Sequence, residues 1–294
     1  MKMRALIFLR LLPQYLFTVN PPIYESCKAG SMTKRPWRGR GIKNKRQIKV
    51  VSKPGHCVSV DQIESRTPGF CGVLRGFITN RRYTCATIFT DHNSCFSYIH
   101  LQNSTSGIDI VAAKSAFEAY SLQYGVHIKH YHADNGRFAD KDFLTAIHAD
   151  KQTISFCAVN AHFQNGIAEK RNRELQEQAQ TALLHSINKW YQVSSIHLWP
   201  YALHYCNDLR NHLPSKTSKI SPIELYTDTA VLPKLNNFHS FGCPVFILDS
   251  AVQNNQSIPK WDSRCRIGLN LDLSPRHVRS VSLVLHLDTS RVSP

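Results

Sequence analysis

The sequence predicts an α/β protein, a mixed sheet flanked by helices and followed by a small β-rich module. Short alternating runs over Cys57–Ile63, Tyr83–Phe89 and Phe96–Leu101 read as strands. Helical stretches at 105–124 and from Ile167 onward are interleaved with further strand signals at Val126–Tyr131 and Thr153–Cys157. Beyond Phe238 only short alternating runs remain, such as Arg264–Gly268 and Val281–His286. A length of 294 residues suits one good core plus a smaller module.

Residues 1–50 read as an N-terminal segment with a basic linker. The apolar run Ala5–Leu9 follows Lys2 and Arg4, but Arg10 interrupts it, Pro13 follows, and no small-residue cleavage site is evident. The run is far shorter than the roughly 20 apolar residues of a membrane span. A start inside a longer reading frame is the expectation. From Lys34 to Lys49 eight Lys or Arg occur together with Trp37, Gly39 and Gly41. Such a stretch can contact phosphates, serve as a nuclear address, or remain a solvated arm.

The core is expected over 51–212. Its first strand carries Asp61, and the next two are joined by the turn Asp91-His-Asn-Ser94. The helix at 105–124 presents Ala113, Ala116, Phe117, Tyr120 and Tyr124 on one face and stops at Gly125. The strand Val126–Tyr131 leads into Asp134, and a short helix at Lys141–His148 precedes the strand at Thr153–Cys157. The helix from Ile167 has the longest apolar face, made by Leu175, Ala179, Ala182, Leu183, Ser186, Ile187 and Trp190. Another helix spans about Leu198–Asn211. Ser221-Pro-Ile-Glu224 is a capping box inside a connector at 213–237. The small module is 238–294. Three meandering strands followed by helix, strand, helix and strand give a sheet of the RNase H-like kind.

The net charge of +16 points to a polyanionic partner, with DNA the leading one. Nine cysteines, at 27, 57, 71, 85, 95, 157, 206, 243 and 265, include no C-x-x-C pair. That excludes a zinc ribbon or a redox motif, and no zinc is expected. Scattered thiols of odd number read as reduced, which places the chain in nucleus or cytoplasm.

Three carboxylates stand out as candidate catalytic and metal-ligating residues: Asp61 on the first strand, Asp134 in Ala133-Asp-Asn-Gly136, and Glu169 in Asn165-Gly-Ile-Ala-Glu169. One on a first strand, one ending a later strand and one opening a basic helix is the arrangement of a two-metal phosphoryl-transfer site. Hard cations such as Mg²⁺ or Mn²⁺ take carboxylate oxygens rather than Cys or His. Spacing alone leaves the first carboxylate open between Asp61 and Asp91. Asp91 sits where Asp is a routine turn former, whereas Asp61 sits inside a strand, where Asp is disfavoured and needs a reason. Around Glu169, the residues Gln164, Asn165, Lys170, Arg171, Asn172 and Arg173 are candidates for DNA contact. His127, His130 and His132 alternate along one strand, make a poor closed zinc site, and read as structural.

The stretches His130–Phe138 and His162–Asn172 resemble the second and third catalytic segments of copia-type retrotransposon integrases, within the retroviral integrase superfamily. The resemblance continues through Leu198–Ala202, Asn211–Pro214, Ser221–Leu225 and Phe241–Val245, covers roughly residues 25–294, and marks the chain as a fragment of a Pol polyprotein. It implies strand transfer of DNA ends by two divalent cations held at Asp61, Asp134 and Glu169, with no covalent enzyme intermediate, and a homo-oligomer when active. It also matches Val58-Ser-Val-Asp61 to the first catalytic strand. The family's His-His-Cys-Cys zinc module is not matched, since Cys27 lacks its C-x-x-C partner and the upstream His are absent. The alternative is a catalytically inactive DNA-binding remnant of such an integrase.

Overall fold

The computed structural model describes residues 2–19, 24–32, 51–72, 82–157, 165–191, 193–214, 219–230, 237–274, 277 and 280–294. The basic linker at 34–49 and Gln164 lie outside them.

The larger sheet is built from β1 (Val58–Gly69), β2 (Tyr83–Asp91), β3 (Ser97–Gln102), β4 (His130–Ala133) and β5 (Thr153–Phe156), in the order β3-β2-β1-β4-β5. β1, β2 and β3 form an antiparallel meander, and β4 and β5 run parallel to β1. The helices are α1 (Lys2–Phe8), α2 (Glu25–Ser31), α3 (Gly107–Leu122), α4 (Lys141–Ala149), α5 (Gly166–Lys189), α6 (Trp199–His212) and α7 (Pro222–Thr227). This order and these directions are those of the RNase H-like sheet expected from the sequence. After α7 comes an antiparallel sheet of β6 (Pro244–Leu248), β7 (Cys265–Leu273), β8 (Ser282–His286) and β9 (Val292–Ser293), in sequence order, with α8 (Ser250–Gln253) between its first two strands. Among the described residues, no helix is long and apolar enough to cross a membrane.

Strand alternation divides the core in two. Val58, Val60, Phe89, Tyr131 and Ala133 point to one face and pack with Ile110, Ala113 and Phe117 of α3, Phe143 and Ile147 of α4, and Ile223 and Tyr226 of α7. Phe89 stacks on Phe117 at 4.6 Å between ring centroids, and Phe96 on Tyr226 at 4.4 Å. Ile63, Ala86, Ile88 and Ile99 point to the opposite face, beneath Leu175, Ala179 and Leu183 of α5 and Ala202, Leu203 and Cys206 of α6. Leu269, Leu271, Leu285 and Val292 of the second sheet belong to that same cluster, so the two sheets share a core.

Three elements differ from the sequence expectation. β1 runs on to Gly69, through a register irregularity after Glu64. The extension is held by α6, whose Trp199 Nε1 donates to the Thr67 carbonyl at 2.9 Å, and a Cβ on Gly69 would meet Pro200 and Trp199. Residues 126–129 are not strand, because β1 begins opposite Tyr131 and offers them no partner; Lys129 N–H donates instead to the Gly55 carbonyl. On α3 the buried stripe is Ile110, Ala113, Lys114, Phe117 and Ser121, while Tyr124 is exposed. Lys114 is tolerated there because it pairs with Glu118 at 3.0 Å and with Asp150. Glu118 also accepts from Tyr131 Oη, tying β4 to α3. At the N-terminus, α2 packs along α5, with Gly30 against Thr181 and the backbone at Glu177.

Phe89 and Phe117 are fully enclosed aromatics, so Phe117→Ala should cost about 3–5 kcal/mol of stability by loss of burial and creation of a cavity. Denaturant titration checks this, and a loss below 1 kcal/mol, roughly a surface effect, would contradict the packing described.

Candidate active site

The site is assembled by the parallel pairing of β1 and β4. Val58 lies opposite Tyr131 and Ser59 opposite His132. Continuing that register by two residues brings Asp61 beside Asp134, which immediately follows β4. Asp61 shares its face with Ser59 and Ile63, the face covered by α5. α5 supplies Glu169 in its first turn, where the helix dipole favours a carboxylate. Glu169 and Asn172, three residues apart, lie on one helix face.

Two asparagines fasten α5 to β1. Asn165 Nδ2 donates to the Val60 carbonyl at 3.2 Å, and Asn172 Nδ2 donates to Asp61 Oδ2 at 2.7 Å. Asp61 Oδ1 accepts from the Gln62 N–H at 2.8 Å. Burial pushes the Asp61 carboxyl up to about 6, with the charges of Asp134 and Glu169 pushing the same way against the lowering effect of the two hydrogen bonds. The charges of Asp134 and Glu169 thus both reach Asp61. Among the described residues, no three His, Cys, Asp or Glu side chains stand close enough to hold one ion together.

Asp91 is placed otherwise. It is 1% exposed, at the end of β2. Its Oδ1 accepts from Gly55 N–H, and its Oδ2 from the N–H and Oγ of Ser94, at 2.9, 2.8 and 2.7 Å. Oδ2 is committed to closing the β2–β3 turn and Oδ1 to holding the segment before β1.

The candidate DNA contacts divide by exposure. Lys170 and Arg173 are exposed on α5, with Lys170 Nζ 4.0 Å from Glu174. Arg171, Asn172 and Asn165 were expected at DNA but are buried; the two asparagines hold β1, and Arg171 Nη2 donates to the Cys95 carbonyl at 2.7 Å. The helical period explains the split, since 168, 171, 172 and 175 form the stripe that faces the sheet. The asparagines are residues whose role sequence reasoning missed; the three-residue step from Glu169 to Asn172 was the available signal. Arg137, also missed, pairs with Glu64 at 2.7 Å and reaches the Gln62 side chain at 3.4 Å, along the strand that carries Asp61. His130 bonds Thr153 and Ser155, and His132 bonds Ser155, all on β4 and β5.

No protein-family model matches the sequence, and no curated protein matches it. Among solved structures, the HTLV-2 integrase catalytic core domain in complex with magnesium (trimeric form) is 15% identical with a TM-score of 0.41, over 59% of this chain and 97% of that one. The catalytic core domain of BIV integrase is 12% identical at a TM-score of 0.40, over 59% of this chain and 95% of that one. The simian T-cell lymphotropic virus intasome in complex with PP2A regulatory subunit B56 gamma is 12% identical at 0.46, over 100% of this chain and 99% of that one. At these values the strand order and directions, and not the likenesses, carry the fold class.

Because the Asp61 carboxyl in the folded chain lies at about 6 against 3.8 ordinarily, the folded state holds this proton more tightly. The associated stability is full below the ordinary value and is lost as pH rises through about 6. With EDTA present, Asp61→Asn should therefore be more stable than wild type near neutral pH, by about 1–3 kcal/mol. Part of the gain is returned because Asn offers one acceptor where Asp offers two. The gap should close as pH falls below the ordinary value, and melting curves across that range check it; equal stability at neutral pH would refute the shift.

Proposed function

We propose that this chain is an integrase-type polynucleotidyl transferase of a copia-type retrotransposon, acting on DNA ends and target DNA by phosphodiester hydrolysis and strand transfer. The observation that carries this is the β1–β4 register, which sets Asp61 beside the residue that follows β4, Asp134, while Asn172 of the helix that carries Glu169 donates to Asp61 at 2.7 Å. An all-oxygen, anionic donor set on strand, strand end and helix start fits hard divalent cations. Asp61, Asp134 and Glu169 would hold two Mg²⁺ or Mn²⁺, and since the described side chains do not close on one ion, binding must draw them inward. When bound, such cations stabilise the attacking and leaving oxygens of an in-line displacement and ease deprotonation of the nucleophile.

The remaining work falls to the chain itself. Asn172 fixes one oxygen of Asp61 and leaves that carboxylate a single rotamer. Asn165 sets the height of α5 above β1. Lys170 and Arg173, exposed beside Glu169, position the phosphates flanking the scissile bond. Among the described residues, and apart from its chain neighbours and its own helix, nothing lies within 4 Å of where a Cβ on Gly166 would stand, which leaves room there for a DNA end. The basic linker at 34–49 adds sequence-independent affinity, and the active form is a homo-oligomer.

Glu169→Gln should lower Mg²⁺- or Mn²⁺-dependent strand transfer roughly 100-fold or more, and Asn172→Ala about 10–100-fold, as expected for a ligand and for the group that orients one. Both should leave duplex binding nearly intact. A gel assay on a short duplex end with paired binding titrations checks this. Undiminished transfer by Glu169→Gln removes Glu169 from the site, whereas a wild-type chain that is folded and DNA-binding yet inactive with both metals supports the non-catalytic remnant.

Duplex affinity should fall steeply with salt, and deleting Lys34–Lys49 should flatten the dependence by about 0.9 for each phosphate that the linker neutralises. Affinity that does not change between low and physiological salt contradicts the electrostatic account.

A further inference from the structure

The helix that presents Glu169 to the carboxylate locus has a second polar face. There it borders a cleft of about 2520 Å³, whose lining includes Lys170, Arg171, Glu174 and Arg210 but none of Asp61, Asp134 and Glu169. Arg171 is unusual within it. The residue is 6% exposed, and among the described residues its Nη2 reaches only a neutral carbonyl and its buried Nη1 has no hydrogen-bond partner. A buried, half-partnered cation costs free energy, and a buried unsatisfied group of this kind calls for a missing partner.

The surrounding charges define that partner. Arg210 pairs with Glu174, the one carboxylate that acts on Arg171, and Lys170 Nζ lies 4.0 Å from the same carboxylate. Three cations thus lean on Glu174, and even with Glu177 lining the same cleft the positive charges among these residues exceed the carboxylates by one. Paired guanidiniums present planar forks that match tetrahedral oxyanions better than they match a single carboxylate. We propose that Arg171 and Arg210 form an oxyanion site for a phosphate group, separate from the three-carboxylate locus. The phosphate would accept from Arg171 Nη1 and from Arg210, bridging α5 to the end of α6. A backbone phosphodiester and free inorganic phosphate share this chemistry.

The test uses the full chain, with inorganic phosphate as probe at constant ionic strength set by chloride. Wild type should show a saturable rise in melting temperature and measurable heat by calorimetry. Arg210→Gln should weaken phosphate binding about tenfold or more, the worth of one charged hydrogen bond, whereas Asp61→Asn should bind phosphate as wild type does. Arg171→Gln should weaken it at least as much; should that variant fail to fold for want of the Cys95 contact, Arg210→Gln decides alone. If saturating duplex displaces the phosphate, the site takes backbone phosphodiester; if both bind together, it takes free phosphate. No saturable response to phosphate, or an undiminished one in Arg210→Gln, overturns the proposal, and neither result bears on strand transfer.

Discussion

Everything at the carboxylate locus depends on one short parallel pairing, that of β1 with β4. Two residue pairs, Val58 with Tyr131 and Ser59 with His132, set the register. A slip of one residue would turn Asp61 into the aromatic core and Val60 out beneath α5. The register is protected from the other side of the sheet, where Tyr131 is pinned by its hydroxyl to Glu118, which also holds buried Lys114. The Tyr131–Glu118–Lys114 contacts on one face thus help fix which residues of β1 and β4 stand side by side on the opposite one.

α5 serves both function and packing at once. Its sheet-facing stripe commits two polar residues, Asn165 and Asn172, to β1, and one cation, Arg171, to the Cys95 carbonyl. Apart from the buried Ala168, apolar packing starts only at Leu175. The first turns are therefore held by directional hydrogen bonds, which specify height and rotation, and the later turns by burial, which supplies stability without such precision.

Much of this was legible in the sequence because period and turn chemistry agreed. The meander, the helix order and the small second sheet followed from alternation and caps, and the capping box at Ser221–Glu224 is formed by both of its hydrogen bonds. The choice of Asp61 over Asp91 rested on a strand's dislike of Asp against a turn's liking for it, and the structure places Asp91 in the turn with both oxygens committed. What stayed hidden depends on distant partners. A basic residue at the start of a helix gives no local sign of whether it faces water or a sheet, so Arg171 and Lys170 look alike in sequence and differ in burial. The burial of Lys114 depends on Asp150, and the length of β1 on Trp199; neither partner is near in sequence. Docking of α2 on α5 likewise has no local signature beyond Gly30.

The shared core has a consequence for how the protein is made. Val292 is buried in the same cluster as Ile63 and Leu203, and Gly72 lies against it. During synthesis the aromatic cluster beneath α3 can close once α7 has emerged, and by then α5 and α6 are available to cover Ile63 and Ala86, but the part of the opposite cluster filled by Leu269, Leu271, Leu285 and Val292 stays open until the second sheet has emerged. The nascent chain thus passes through a stage with one finished face and one partly covered, when apolar surface of α6 is open to chaperones and to misassociation.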